Sequence, residues 1–208
     1  MKADKLLQAL EQRGIHTIIG VPDSTLKQFC DGLQNYKGNI NHYVPVNEGA
    51  AVGLAVGSYL ADGKPACVYM QNSGIGNAVN PIASLANRDV YGIPMLFLVG
   101  WRGEPGVKDE PQHVFQGEIT CKLFEVLSIP YEVIDKDTTW EQMESILTEA
   151  FETLSGRNRI PGKDKICEVF QSAGADCTFQ GECGHSDTGY VKTSCAGSGI
   201  RKCSIKAE

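Results

Sequence analysis

Val46-Asn47-Glu48-Gly49-Ala50 is the point at which an apolar strand gives way to a helix of small residues. Residues 43–46 predict a short strand. Ala50, Ala51, Val52, Leu54, Ala55 and Val56 predict a helix buried on most of its faces. Glu48 then falls in the first helical turn, at the rim of a core and beside a glycine. Two readings of it are open. The helix dipole favours a carboxylate in a first turn, so Glu48 can be an ordinary helix-start acid. A carboxyl sunk at the rim of a core can also hold and move a proton.

Outward from this point the chain alternates helix and strand. Leu6, Leu7 and Leu10 mark a first helix, stopped at Gly14. Residues 17–19 are a β-branched strand, and Gly20-Val21-Pro22-Asp23-Ser24 turns it into a helix carrying Leu26 and Phe29, with Asp23 or Ser24 as its cap. Further strands are expected at 43–46, 65–70, 95–99 and 131–134, and further helices at 48–60, 78–86, 119–127 and 140–154. Met95-Leu96-Phe97-Leu98-Val99 is apolar throughout, as suits a central parallel strand covered on both faces. This rhythm predicts an α/β fold, a doubly wound, mostly parallel sheet with helices on both faces. Ligands of such sheets gather at the carboxyl ends of the strands. The loops at 20–24, 47–49, 71–80 and 100–117 leave those ends.

Composition narrows the class. The 208 residues are 42% hydrophobic and 21% charged, with a net charge of −6. That is a globular profile without the basic footprint of a nucleic-acid binder. No apolar run reaches membrane-spanning length, and the N-terminus has no signal-peptide core, so a cytoplasmic address is expected. Cys30, Cys67 and Cys121 are scattered in apolar or helical surroundings and read as small core residues. Cys167, Cys177, Cys183, Cys195 and Cys203 crowd the end of the chain. Residues 156–208 hold eight Lys/Arg and six Asp/Glu, against 11 and 19 in residues 1–155. A domain of residues 1–155 is therefore expected, followed by an irregular Cys/Gly-rich tail, 156–208. Apart from residues 166–170 the tail has little amphipathic pattern and is expected to be unpacked, disordered or not the native continuation. Cys177, Cys183, His185, Cys195 and Cys203 match no usual zinc spacing, so no metal site is expected there. A disulfide framework does not suit a cytosolic chain.

The loops carry the candidate chemistry. Gln71-Asn72-Ser73-Gly74-Ile75-Gly76-Asn77 joins two glycines to amide and hydroxyl side chains. It is a polar strand-to-helix turn, or one at which a ligand meets the backbone closely. It has neither the Walker nor the dinucleotide spacing. The loop at 100–113 offers Arg102, Lys108 and His113 among shaping prolines and glycines. Arginine suits bidentate contact with phosphonate or carboxylate, and lysine supplies a point charge. A solvated surface of mixed charge is the other reading.

Gly20-Val21-Pro22-Asp23-Ser24, Asn47-Glu48-Gly49, the stretch from Tyr69 through Gln71-Asn72-Ser73-Gly74-Ile75-Gly76-Asn77 to Pro81, and the Trp101-Arg102-Gly103-Glu104-Pro105-Gly106 loop together resemble the phosphonopyruvate decarboxylases. These are thiamine diphosphate enzymes of phosphonate biosynthesis. The resemblance covers about residues 5–155 and implies their pyrimidine-binding domain. Sulfopyruvate decarboxylase is similar at the Asn-Ser-Gly stretch and fits the arginine loop less well.

The resemblance implies a carboxy-lyase that converts 3-phosphonopyruvate, a small 2-oxoacid, to phosphonoacetaldehyde and CO2. It makes Glu48 the catalytic acid, a buried carboxyl sharing a proton with the cofactor's aminopyrimidine. It places Asn72, Ser73, Gly74 and Gly76 against the cofactor, and Asp23, Ser24, Arg102, Lys108 and His113 toward substrate. A complete member also carries a diphosphate-binding domain with a Gly-Asp-Gly…Asn motif that holds Mg²⁺, and no Gly-Asp-Gly occurs in this sequence. That domain is therefore expected in trans, in a homo- or hetero-oligomer, with this chain inactive alone. Its unpatterned tail favours a truncated product over one subunit of a split sulfopyruvate-type decarboxylase. A non-catalytic partner domain is the remaining alternative.

Overall fold

The computed structural model describes residues 3–156 and 166–172. Six strands form one sheet: β1 (Thr17–Gly20), β2 (Asn41–Tyr43), β3 (Ala66–Gln71), β4 (Met95–Trp101), β5 (Tyr131–Ile134) and β6 (Ile166–Ser172). Their order is β2-β1-β3-β4-β6-β5, and every neighbouring pair is parallel. The six α-helices are α1 (Ala3–Gln12), α2 (Lys27–Asn35), α3 (Glu48–Asp62), α4 (Ile75–Pro81), α5 (Pro111–Val126) and α6 (Trp140–Leu154).

Side-chain alternation along the strands builds two cores. Val68, Met70, Met95, Phe97 and Val99 face one side, where α3, α4 and α5 bring Ala51, Val52, Ala55, Ile75, Ala78 and Phe124. Cys67, Tyr69, Leu96 and Leu98 face the other, against Leu7 and Leu10 of α1, Phe29 and Leu33 of α2, and Met143 and Leu147 of α6. The doubly wound sheet expected from the sequence is thus present. β4 is buried at every position because it has a strand on each edge and helices on each face.

The order of the sheet fixes where its loops meet. Strand β1 has β2 on one edge and β3 on the other, so connections leaving β1 and β3 diverge between them. That crevice is the topological switch point, and α3 opens beside it. Asn47 caps α3, its Oδ1 accepting from Ala50 N at 2.8 Å, and Gly63 ends it in the left-handed region at φ 70°.

Several boundaries move. The expected strand at 43–46 ends at Tyr43, because its single partner β1 turns away after Gly20 and Pro45 has no N–H to donate. Val46 is instead 92% exposed. Helix α5 starts at Pro111 rather than at 119, since proline fits the first turn of a helix, where no backbone N–H is needed. The long loop therefore ends before His113. Helix α4 starts at Ile75 and runs on as a π-turn over Ile82–Ala86. The sheet also takes in β6, beyond the composition break at residue 155. The other residues after 156, with Cys177, Cys183, His185, Cys195, Cys203 and the expectation of an unpacked tail, lie outside the described residues. Among those described, Cys30, Cys67 and Cys121 are buried, and burial pushes the Cys67 thiol up to about 12. No helix among them is long and apolar enough to cross a membrane.

Phe97 is fully buried in mid-sheet, whereas Val126 is 81% exposed. Phe97→Ala is expected to lower unfolding free energy by about 3–5 kcal/mol in urea titrations. Val126→Ala should stay within about 0.5 kcal/mol of the parent.

Candidate functional site

Helices α3 and α4 meet end to end at the switch point because two glycines let them. A side chain at Gly49 would strike the backbone of Asn77, and one at Gly74 would overlap the Glu48 side chain, with its Cβ 2.6 Å from Oε1. Glu48 lies in the space that Gly74 leaves. Its Oε2 accepts from Asn77 Nδ2 at 2.8 Å, its one side-chain hydrogen bond among the described residues. Glu48 is half-buried rather than buried as expected, because α4 covers one side of it and no described residue closes the other. Gly76, the second residue of α4, is exposed and has open space where a side chain would stand.

A separate polar chain runs along the strand ends. Ser73 Oγ donates to Gln71 Oε1 at 2.6 Å, and Gln71 Nε2 donates to Asp23 Oδ2 at 2.5 Å. Asp23 Oδ1 accepts from Thr25 N at 2.9 Å and from Thr25 Oγ1, which caps the short 3₁₀ turn Ser24–Leu26. The Asp23 carboxylate is thus committed on both oxygens to the protein. Ser24 remains exposed, with Arg102 Nη1 donating to its Oγ at 3.5 Å.

Asn72, expected at the cofactor, is turned inward. It is fully buried; Nδ2 donates to Arg102 O and Thr120 Oγ1, both at 2.9 Å, and Oδ1 accepts from Arg102 N at 3.1 Å. The amide joins the ends of β3 and β4 to α5, because a buried amide must find partners inside the protein. Backbone contact reinforces the crossing: a side chain at Gly117 would strike Gly103 O, and Trp101 Nε1 donates to Gly117 O at 3.0 Å.

Arg102 leaves this crossing into an ion pair. Its Nε donates to Asp109 Oδ2 at 2.8 Å and its Nη2 to Asp109 Oδ1 at 2.6 Å. Gly103 N and Glu110 N also donate to that carboxylate, each at 2.8 Å. Hydrogen bonding from Arg102 therefore holds the Asp109 carboxyl well below the usual carboxylate range. Lys108 is exposed and His113 half-buried in the first turn of α5. Among the described residues no side-chain hydrogen bond or ion pair ties either of them to Arg102 or Glu48.

The structure thus brings Glu48, Ser73, Gly74 and Gly76 together at one end of the crevice and Ser24 and Arg102 at the other. Gln71, Asn77 and Asp109 are participants that sequence reasoning did not single out. Gln71 ends a strand otherwise buried at every position, which is a legible signal. The spacing of Asp109 from Arg102 carries none. Among the described residues no group of three or more His, Cys, Asp or Glu could hold a metal ion.

A model of the family described as thiamine pyrophosphate enzyme, N-terminal TPP binding domain, matches residues 2–125. The phosphonopyruvate decarboxylase of Streptomyces viridochromogenes is 37% identical over 140 residues, 67% of this chain and 34% of that protein. That of Streptomyces hygroscopicus is 34% identical over 134 residues, 64% of this chain and 32% of that protein. The chain therefore spans about a third of the length of these two relatives. Sulfopyruvate decarboxylase subunit alpha of Methanococcus maripaludis is 34% identical over 129 residues, 62% of this chain and 74% of that protein. The fold is shared with the X-ray structure of a chain described as a thiamin diphosphate-dependent enzyme, isolated from Mycobacterium smegmatis. The TM-score is 0.59 at 18% identity, over 94% of this chain and 35% of that one.

Asn72→Ala should cost about 1–3 kcal/mol, the scale of leaving buried partners unsatisfied. Urea titration measures the loss, and amide exchange at Arg102 should rise with it. Asp109 has a depressed pKa, so the stability it adds is fully present above about pH 4, the unfolded value, and is lost as pH falls through the folded one. The Gly103 and Glu110 amide chemical shifts should therefore hold steady from neutrality to about pH 4 and move only below it.

Proposed function

The chain belongs to the thiamine pyrophosphate enzymes, matching their N-terminal TPP binding domain, and on that footing we propose that it is the pyrimidine-binding half of a 2-oxoacid decarboxylase. The proposed reaction is loss of CO2 from 3-phosphonopyruvate to give phosphonoacetaldehyde, as the names of two relatives suggest. One observation carries the reading: Glu48, held at the start of α3 in the space left by Gly74, with Asn77 bracing one carboxyl oxygen. A carboxyl so placed can hold a proton against a ring nitrogen while the helix start fixes its position.

The fit of thiamine diphosphate to this chain is at its pyrimidine end. Glu48 would meet the aminopyrimidine, and exposed Ser73 and open Gly76 would line its approach. When bound, the cofactor supplies the electron sink for the carbanion left by decarboxylation. Ser24 and Arg102 are taken to face the substrate end of the crevice, with Lys108 adding positive charge and His113 a ring nitrogen at its mouth. We assign the diphosphate and Mg²⁺ to a second domain or subunit, completing the site in a homo- or hetero-oligomer. The pyrimidine-binding unit is taken to run from α1 through β6. The buried Cys30 and Cys67 thiols suit a reducing, cytoplasmic compartment.

A second reading, the pyrimidine-binding subunit of a two-chain sulfopyruvate-type decarboxylase, draws on extent. The matched region spans 74% and 71% of two sulfopyruvate decarboxylase alpha subunits, from Methanococcus maripaludis and Methanocaldococcus jannaschii. Parallel assays with 3-phosphonopyruvate and sulfopyruvate separate the two.

The central test assembles the chain with a diphosphate-binding domain, Mg²⁺ and thiamine diphosphate, and compares it with Glu48→Gln. Glutamine keeps the size of the side chain and its bond to Asn77, so assembly and cofactor binding should persist. Turnover should fall by about 10²-fold or more, the scale of general acid–base catalysis. Deuterium incorporation at the thiazolium carbon should slow in step. Exchange as fast as in the parent would make Glu48 an ordinary helix-start acid and refute the proposal.

A further inference from the structure

We infer that Asp109 is a positioning residue for substrate recognition: it engages the forked edge of Arg102 and leaves the Nη1 edge, beside Ser24 Oγ, to bind the anionic group on the substrate's third carbon. The inference rests on the proposed phosphonate or sulfonate 2-oxoacid substrate and identifies which atoms read it.

Arg102 has five N–H donors in a fixed plane. Asp109 takes the Nε and Nη2 edge, the bidentate geometry by which arginine most often grips an oxyanion. The same carboxylate also takes the backbone N–H groups of Gly103 and Glu110. Four donors that could have formed an anion nest are therefore filled by the protein's own carboxylate, which is 9% exposed. A substrate anion cannot use that edge without expelling Asp109. Nη1 is the remaining terminal nitrogen, and it lies 3.5 Å from the exposed hydroxyl of Ser24 at the switch point. That hydroxyl can rotate to donate to a shared oxyanion.

Asp109 also fixes the direction of Nη1. An arginine tethered at its base by Asn72, through both its N–H and its C=O, and along one edge by Asp109 has little rotamer freedom left to lose on binding. The arrangement selects through orientation, although Asp109 itself repels an anion.

Two effects therefore oppose each other, and their signs can be measured. Charge alone predicts that Asp109→Asn tightens anion binding; positioning predicts that it weakens it. Full-length chain is titrated with methylphosphonate and, in parallel, methanesulfonate, following amide and arginine side-chain signals by NMR. The parent should shift at Ser24 and Arg102. Asp109→Asn should weaken binding about tenfold, as for loss of one well-placed charge-assisted hydrogen bond. Glu110→Gln removes the same charge from the same loop without touching Arg102, and should leave binding unchanged or tighter. Ser24→Ala, at an exposed position, should weaken binding without disturbing the Arg102–Asp109 signals, and tests the same site if Asp109→Asn fails to fold. Equal tightening by Asp109→Asn and Glu110→Gln overturns the inference, as does Ser24→Ala binding like the parent. A parent that shows no shift at Ser24 or Arg102 with either anion overturns it as well. The Glu48→Gln exchange experiment is independent of all three and reports on the cofactor chemistry alone.

Discussion

A fully buried amide holds the carboxyl end of this sheet together. Asn72 bonds the backbone N–H and C=O of Arg102 and the hydroxyl of Thr120, so the end of β3, the end of β4 and helix α5 share one side chain. Desolvating an amide is tolerable only when its hydrogen bonds are made, and these are. The rest of the crevice depends on that crossing. It sets where β4 releases Arg102, how closely α5 rides over Gly103, and which way Gln71 faces across to Asp23.

The polar residues around the crevice divide into those already satisfied and those still open. Asn72, Asp23, Gln71 and Asp109 spend their groups on the protein and behave as scaffold. Glu48, Ser24, Gly76, Lys108 and His113 present groups or space with few internal demands on them. Exposed apolar side chains flank Glu48 in sequence: Val44 is 57% exposed, Val46 92% and Leu54 50%. Exposed apolar patches of that kind mark interaction surfaces. The two-domain site proposed above requires a partner that closes the open side of Glu48.

The fold was legible because its signals are local. The unbroken apolar run at 95–99 marked the central strand, and the small-residue run after Asn47-Glu48-Gly49 marked helix α3. Boundaries were less so, since Pro45 and Pro111 act through pairing geometry and helix-start geometry that single-residue patterns do not carry. Near the site, the position of Glu48 in a first helical turn was readable from the small-residue run that follows it. The inward turn of Asn72 was not, because whether an amide faces a ligand or Thr120 depends on a helix almost fifty residues further on. The Asp109 clamp was hidden for a similar reason: a mixed-charge loop reads alike whether its charges are solvated or locked together.

The position of β6 has a consequence for the order in which this chain can acquire structure. Strand β5 has β6 as its one neighbour in the sheet, and β6 lies between β4 and β5 although it comes last of the three in sequence. Strands β1 to β4 can pair among themselves as soon as they exist. Strand β5 cannot join that sheet until residues 166–172 have been made and threaded into the gap. Until then β4, the most apolar strand of the sheet, presents an unpaired edge for which other chains can compete. Such late, non-local closure slows folding through its loop-closure entropy. Synthesis beyond α6 thus decides whether the central strand becomes an interior one or an adhesive one.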